Sequence, residues 1–329
     1  MNRANSYTAT TNETNKLILL IAYQIRFAIV EGDFATARTH LQAASVLIAQ
    51  EGDRVGPFVL VHATLMDVKL AAASRTRPIL TFKHPHLHLQ TSPKLAQVVW
   101  DRTQISLAHL PLDFRGVAAE EAMTGLHWHF LKFDANNGKE VDGGFPVLLN
   151  CVRTARHLRG LAADACEETC MLEKNETVNP RIAIVLCLEF FAWMHDPAHI
   201  IPWICHSEYM KRLGDSVKSK LQLCLDLGNE SLESEWLETG ASRESLLWVL
   251  MMGVVMTAER AGETDCDAAA ADLSPPFLET MSRVMQGLQI TDQSELEQAL
   301  RMFPYTDNLC GTWTKSIVAG LGLPVSVGV

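Results

Sequence analysis

His84, His86 and His88 alternate along the chain. Pro85 favours an extended backbone here, and on such a backbone alternation puts all three imidazoles on one face. Three imidazoles facing one way form a donor set for zinc or copper. No carboxylate or cysteine flanks them, so an exposed loop is the preferred reading. His127 and His129 straddle Trp128. In a helix they point about 200° apart and cannot share one mononuclear ion without other ligands. They read as packed or surface histidines. Cys166 and Cys170, at i and i+4, share a helical face and could hold a metal or respond to oxidation. No second close pair accompanies them, which favours incidental thiols.

Asn229, Ser231, Ser234 and Glu235 invite comparison with the Asn/Ser/Glu magnesium motif of terpene-cyclase-type helical enzymes, but the spacing fails. The fourth position after Asn229 is Glu233, and no aspartate-rich partner motif lies upstream. A solvated, acidic helix start is the alternative. Met251, Met252 and Met256 could line a pocket between helices or fill a core. No Walker-type glycine loop, nucleophile elbow, paired-cysteine zinc framework or Rossmann unit occurs. No catalytic, cofactor-binding or metal-ligating residue is therefore assigned, and the chain is not expected to be an enzyme.

The elements that would position these residues are helical. Thr14 and Leu17, followed by apolar residues at 20, 21, 25 and 28, predict a helix with one wide buried stripe ending at Gly32. Asp33 is the expected N-cap of a second helix carrying Phe34, Ala37, Leu41, Ala44 and Ile48, stopped by Gly52. Pro57 opens a third, through Val61, Leu65, Val68 and Ala72 to about Arg75. After a proline-containing loop over 76–92, Pro93 opens the helix holding Trp100 and Ile105. Further helices are expected over 114–134, 145–173, 178–195, 205–227, 242–261, 275–288 and 293–302, with loops at 134–144 and 262–274. No strand-like alternation persists and no fixed repeat period occurs. The expected fold is all-α: a large irregular helical bundle with solenoid-like helix pairs, residues 1–12 forming a disordered arm and 13–329 a single helical domain.

Composition bounds the partners. A net charge of −10 argues against a broad electropositive surface, so neither nucleic acid nor anionic lipid is expected to bind directly. The apolar runs at 17–30 and 246–258 fall short of the roughly 20 residues a membrane span needs. The N-terminus lacks a basic region and a small-residue cleavage site, so no secretory signal is read. The three sequons, at Asn12, Asn175 and Asn229, then carry no weight. Cys187 and Cys224 sit in apolar helical runs as small hydrophobes, consistent with a reducing nuclear or cytosolic compartment.

Four stretches taken in order resemble the regulatory region of fungal-specific transcription factors, the family that usually begins with a binuclear zinc cluster. The first runs from Leu19 to Tyr23, then Gly32-Asp33-Phe34 and Ala37-Arg38-Thr39-His40-Leu41. The second is Asp67 with Ala71, Ala72 and Arg77-Pro78. The third is Leu246-Leu247-Trp248-Val249-Leu250 with Gly253. The fourth is Phe303-Pro304-Tyr305, Asp307, Cys310 and Trp313, with Tyr305 and Thr312 as departures. Within the third, the five-residue spacing of Trp248 and Gly253 allows a bulky anchor and a close helix contact; Arg38 and His40 could fix the first hairpin to a neighbour.

The resemblance implies a nuclear regulator of transcription, working through co-regulators or through an attached or partner DNA-binding module, and compatible with a small-molecule effector and a homodimer. The family's six-cysteine cluster is missing from this sequence. That leaves a part of a longer factor or a stand-alone regulatory body as the alternatives. The competing expectation is a helical enzyme or small-molecule carrier with a pocket between helices.

Overall fold

A computed structural model of the chain describes residues 2–74, 76–80, 92–135, 152–161, 179–194, 230–258 and 275–324, with a few positions between 217 and 225. The fold is all-α, and no strand occurs among the described residues.

The first helix, α1 (Asn2–Glu31), starts twelve residues before Thr14, so the stretch read as a disordered arm continues a helix instead. Its Asn, Ser and Thr residues are weak helix formers. Once 14–31 is nucleated, however, each added residue brings one more hydrogen bond at small cost. Ile18, Ala22, Ile25, Ala28 and Ile29 form its buried stripe. Gly32, at φ 78°, then reverses the chain. Asp33 caps α2 (Phe34–Glu51) by accepting a 3.0 Å bond from the Thr36 N–H. Helix α3 (Pro57–Ser74) packs against both, burying Val61, Leu65, Val68 and Ala72. Asn15 accepts a 3.0 Å bond from the Gly56 N–H and fixes where α3 starts against α1. By length and composition α3 is apolar enough to cross a membrane, yet 67% of it is buried inside the fold, which is how a core helix also reads.

Helices α4 (Pro93–Ala108) and α5 (Val117–Ala135) form a second hairpin. Its turn is sewn to the turn between α8 (Leu232–Glu238) and α9 (Arg243–Ala258). Arg115 donates to the carbonyls of Ala108, Leu110 and Gly240, and His109 Nδ1 lies 3.0 Å from Ser242 Oγ. Between α5 and α8 come α6, over 152–161, and α7 (Pro180–Met194). The C-terminal part holds α10 (Pro275–Gly287), α11 (Gln293–Leu300) and α12 (Asp307–Gly320).

Helix α9 is the hub, touching α7, α8, α10 and α11. A helix in contact on all sides must be apolar all round, and Leu246 through Met252 are all buried, as are Val254 and Val255. Gly253 is the point of closest approach: a Cβ there would collide with the Phe277 ring of α10. Trp248 donates its indole N–H to the Pro304 carbonyl at 3.1 Å and lies against Phe303, ring centroids 5.8 Å apart. The core cluster formed this way extends from Ile18 to Val318.

Two helices differ from the sequence reading. In α8, the stretch read as a solvated acidic helix start, a helix does begin, but Leu232 and Trp236 are buried while Ser234 and Leu237 face out; the helix is too short to display a period. In α12, Cys310, Thr314, Ile317 and Val318 make a buried stripe. Gly311, Thr314, Ile317 and Val318 are poor helix formers, so packing outweighs propensity there.

Candidate functional site

Among the described residues several polar clusters form inside this body, and each is best understood from the elements that bring it together. The first is Ser106 with His127. Thr103 and Ser106 line the inner face of α4 and His127 that of α5, so hairpin packing brings Ser106 Oγ to 2.8 Å from His127 Nε2. A serine beside an imidazole suggests a nucleophile with its base. Yet Ser106 Oγ also contacts the carbonyls of Arg102, at 3.0 Å, and Met302, neither of which can donate. Its one hydrogen is therefore committed to a carbonyl, and Nε2 must carry the proton that it shares with Oγ. This imidazole cannot take the serine proton. Burial, helped by the Arg102 charge, pushes the His127 pKa down to about 3, so the ring stays neutral. The pair is a buried polar rivet between α4, α5 and the segment before α12.

The second cluster surrounds Asp67. Its carboxylate accepts from the N–H of Ile79 at 3.0 Å and of Leu80 at 2.6 Å, which folds the chain leaving α3 back on itself. Arg156 of α6 donates to the Leu80 carbonyl on the same turn. Burial raises the Asp67 pKa to about 6, against the lowering effect of those two N–H groups and of the Arg156 charge. The third is a fully buried ion pair: Arg159 Nη1 of α6 lies 2.8 and 3.1 Å from the two carboxylate oxygens of Glu189 on α7.

An arrangement open to solvent and large enough for a ligand is a cleft of about 250 Å³ between α4, α5 and α6. Trp100, Glu120, Glu121, Thr124, Arg153 and His157 contribute to its walls. Its floor is set by Gly125, where a side chain would collide with that of Thr154, so the Thr154 side chain of α6 rests directly on the backbone of α5. His157 Nε2 lies 2.9 Å from Glu121, both partly exposed. Burial lowers the His157 pKa; Glu121 opposes that, and Arg153 and Arg156 add to it. Trp100 is 48% exposed, a large indole face left at the rim. The cleft thus offers a carboxylate pair, a cationic group, a titratable imidazole and a stacking surface within one small volume.

The residues singled out from sequence fall differently. His84, His86, His88, Cys166, Cys170 and Asn229 lie outside the described residues. His127 and His129 are both buried and far from sharing an ion; His129 packs edge-on against Phe130. Met251 and Met252 are core residues of α9, and no group of three metal-ligating side chains occurs among the described residues. Cys187 and Cys224 are buried free thiols, as their apolar surroundings imply, and burial raises Cys187 well above the ordinary thiol range. Arg38 is exposed on α2.

The cleft itself was not anticipated. Its residues come from three helices, and the signal available in sequence was Arg153 and His157 at i and i+4, which share one face of a helix. The chain matches no family model, no curated protein and no solved structure.

Proposed function

We propose that this chain is a non-enzymatic regulatory body, similar in role to the regulatory region of fungal-specific transcription factors, which acts in the nucleus on an attached or partner DNA-binding module. The observation that supports this reading is the way two of the resembling stretches meet. The Leu246–Gly253 and Phe303–Cys310 stretches interlock through Trp248, Phe303 and Pro304, so residues chosen for their order in sequence make one structural unit. The cleft between α4, α5 and α6 supplies the place for a small effector. Arg153 and His157 suit a carboxylate, Glu120 and Glu121 an ammonium, and Trp100 a flat or branched apolar group. A zwitterion of amino-acid size fits both the volume and the charges.

The test is to fuse the chain to a heterologous DNA-binding domain and measure a reporter across nitrogen and carbon sources. Output should change with condition, and Trp100→Ala and Arg153→Glu should make it constitutive in one direction. A reporter unaffected by fusion under every condition would sink the reading. The cleft also favours a second one, a small-molecule carrier. Native mass spectrometry separates the two: a carrier retains a metabolite through purification, and a fusion to it leaves the reporter unmoved.

A further inference from the structure

Helix α1 has a second apolar face. Leu17, Leu20, Tyr23 and Phe27 are 46%, 56%, 44% and 55% exposed. At 100° per residue they fall within about 120° of one another on the helix surface. They lie opposite the stripe of Ile18, Ala22, Ile25 and Ile29 that enters the core. Among the described residues nothing covers this face, and a helix that serves only to cover a core has no need of it. Half-exposed leucines and aromatics of this number leave on the order of 350 Å² of contiguous apolar surface, as large as the biggest patch of an ordinary monomer.

We infer that this face pairs with the same face of a second copy of the chain, the two α1 helices running antiparallel about a two-fold axis beside Tyr23. The charges choose that arrangement. Lys16 and Glu31 bracket the stripe and are both exposed. They stand fifteen residues apart, or about 22 Å along the helix. An antiparallel pair centred between Tyr23 and Gln24 brings Lys16 against Glu31 of the partner subunit at both ends at once. It also sets Leu20 on the partner subunit's Phe27, and Phe27 on the partner subunit's Leu20. A parallel pair instead superposes lysine on lysine and glutamate on glutamate. The existing bond from Lys16 to Glu13 does not compete, since both side chains are largely solvated there, at 63% and 72% exposure.

Two copies of the patch and its polar margin bury less than the roughly 1,200 Å² at which stable interfaces begin, so the dimer is a weak and reversible one. This is independent of the regulatory reading and of the cleft. Sedimentation velocity of the full chain over about 1 to 100 µM tests it. The mass should rise from 36.5 kDa towards twice that. Leu20→Glu, a change at an exposed position that leaves the thermal unfolding profile intact, should abolish the rise. Glu31→Lys should weaken association about tenfold, and Lys16→Glu combined with Glu31→Lys should restore it. A monomer at all concentrations, a dimer that tolerates Leu20→Glu, or a charge swap that fails to rescue would each overturn the inference.

Discussion

Two buried groups bias the acid stability of this fold in opposite directions. His127 is neutral in the native state with a pKa of about 3, against 6.5 when unfolded. Below pH 6.5 the unfolded chain takes up a proton that the native chain refuses, so stability falls with acidification. Asp67 is raised to about 6 from 3.8. Between those values the native chain holds a proton that the unfolded chain has lost, so stability rises with acidification. One pKa unit is about 1.4 kcal/mol and the unfolded histidine is already half-protonated at pH 6.5, so moving from there to about pH 4.5 costs about 2 kcal/mol through His127 and returns slightly less through Asp67. In the parent protein the two nearly cancel. His127→Gln keeps a donor for Ser106 Oγ but cannot be protonated, while Asp67→Asn keeps an acceptor for the turn but cannot ionise. Urea unfolding followed by circular dichroism at both pH values gives the change for each variant relative to the parent, in which all shared titrations drop out. His127→Gln should gain about 2 kcal/mol on the parent over this interval, and Asp67→Asn should lose about 2 kcal/mol. Variants that track the parent, or shifts of the opposite sign, would refute the assignment of both charge states.

The packing yields further expectations. Gly253→Ala drives a methyl group into Phe277 and should lower stability by about 1–3 kcal/mol in chemical denaturation, although the same change stabilises an exposed helix; Phe277→Leu in that background should restore part of the loss. Glu189→Gln leaves the Arg159 charge buried and should cost about 3–5 kcal/mol, whereas replacing both residues with methionine should cost far less. Trp248→Phe removes the bond to the Pro304 carbonyl and should cost about 2 kcal/mol, with a lower thermal midpoint. Cys187, Cys224 and Cys310 should stay unmodified by a thiol reagent until the chain unfolds, read by the mass of the corresponding peptides.

What could be read from sequence follows the range of the physics involved. The α1–α2 turn was legible because Gly32 and Asp33 act on residues within one helical turn of themselves. Pro57 and Pro93 mark helix starts for the same local reason. The pairing of Trp248 with Gly253 was legible as a need for one bulky and one close contact, but not its recipients, Pro304 and Phe277, since nothing local selects them. Helix α12 escaped notice because its glycine and β-branched residues speak against a helix until the core supplies a surface to lie on. The cleft escaped altogether: Trp100, Glu121 and His157 become neighbours only when three helices pack together around Gly125.

Helix α6 explains why that cleft is more than a surface dent. In a single run of ten residues it sends Thr154 against Gly125 of α5, Arg156 to the Leu80 carbonyl beyond α3, His157 to Glu121 of α5 and Arg159 to Glu189 of α7. Arg153 and His157 face the cleft, while Arg156 and Arg159 are engaged with other helices, so one rigid element joins the open site to two buried polar contacts. The turn held by Asp67 depends on this element through Arg156. Arg156→Met should therefore accelerate amide hydrogen exchange at Ile79 and Leu80 by about tenfold, the rate change that corresponds to about 1.4 kcal/mol of local opening energy, and leave exchange within α1 and α2 unchanged. Exchange at Ile79 and Leu80 that stays as slow as in the parent would mean that Asp67 holds the turn without help, and that α6 ends its influence at the cleft.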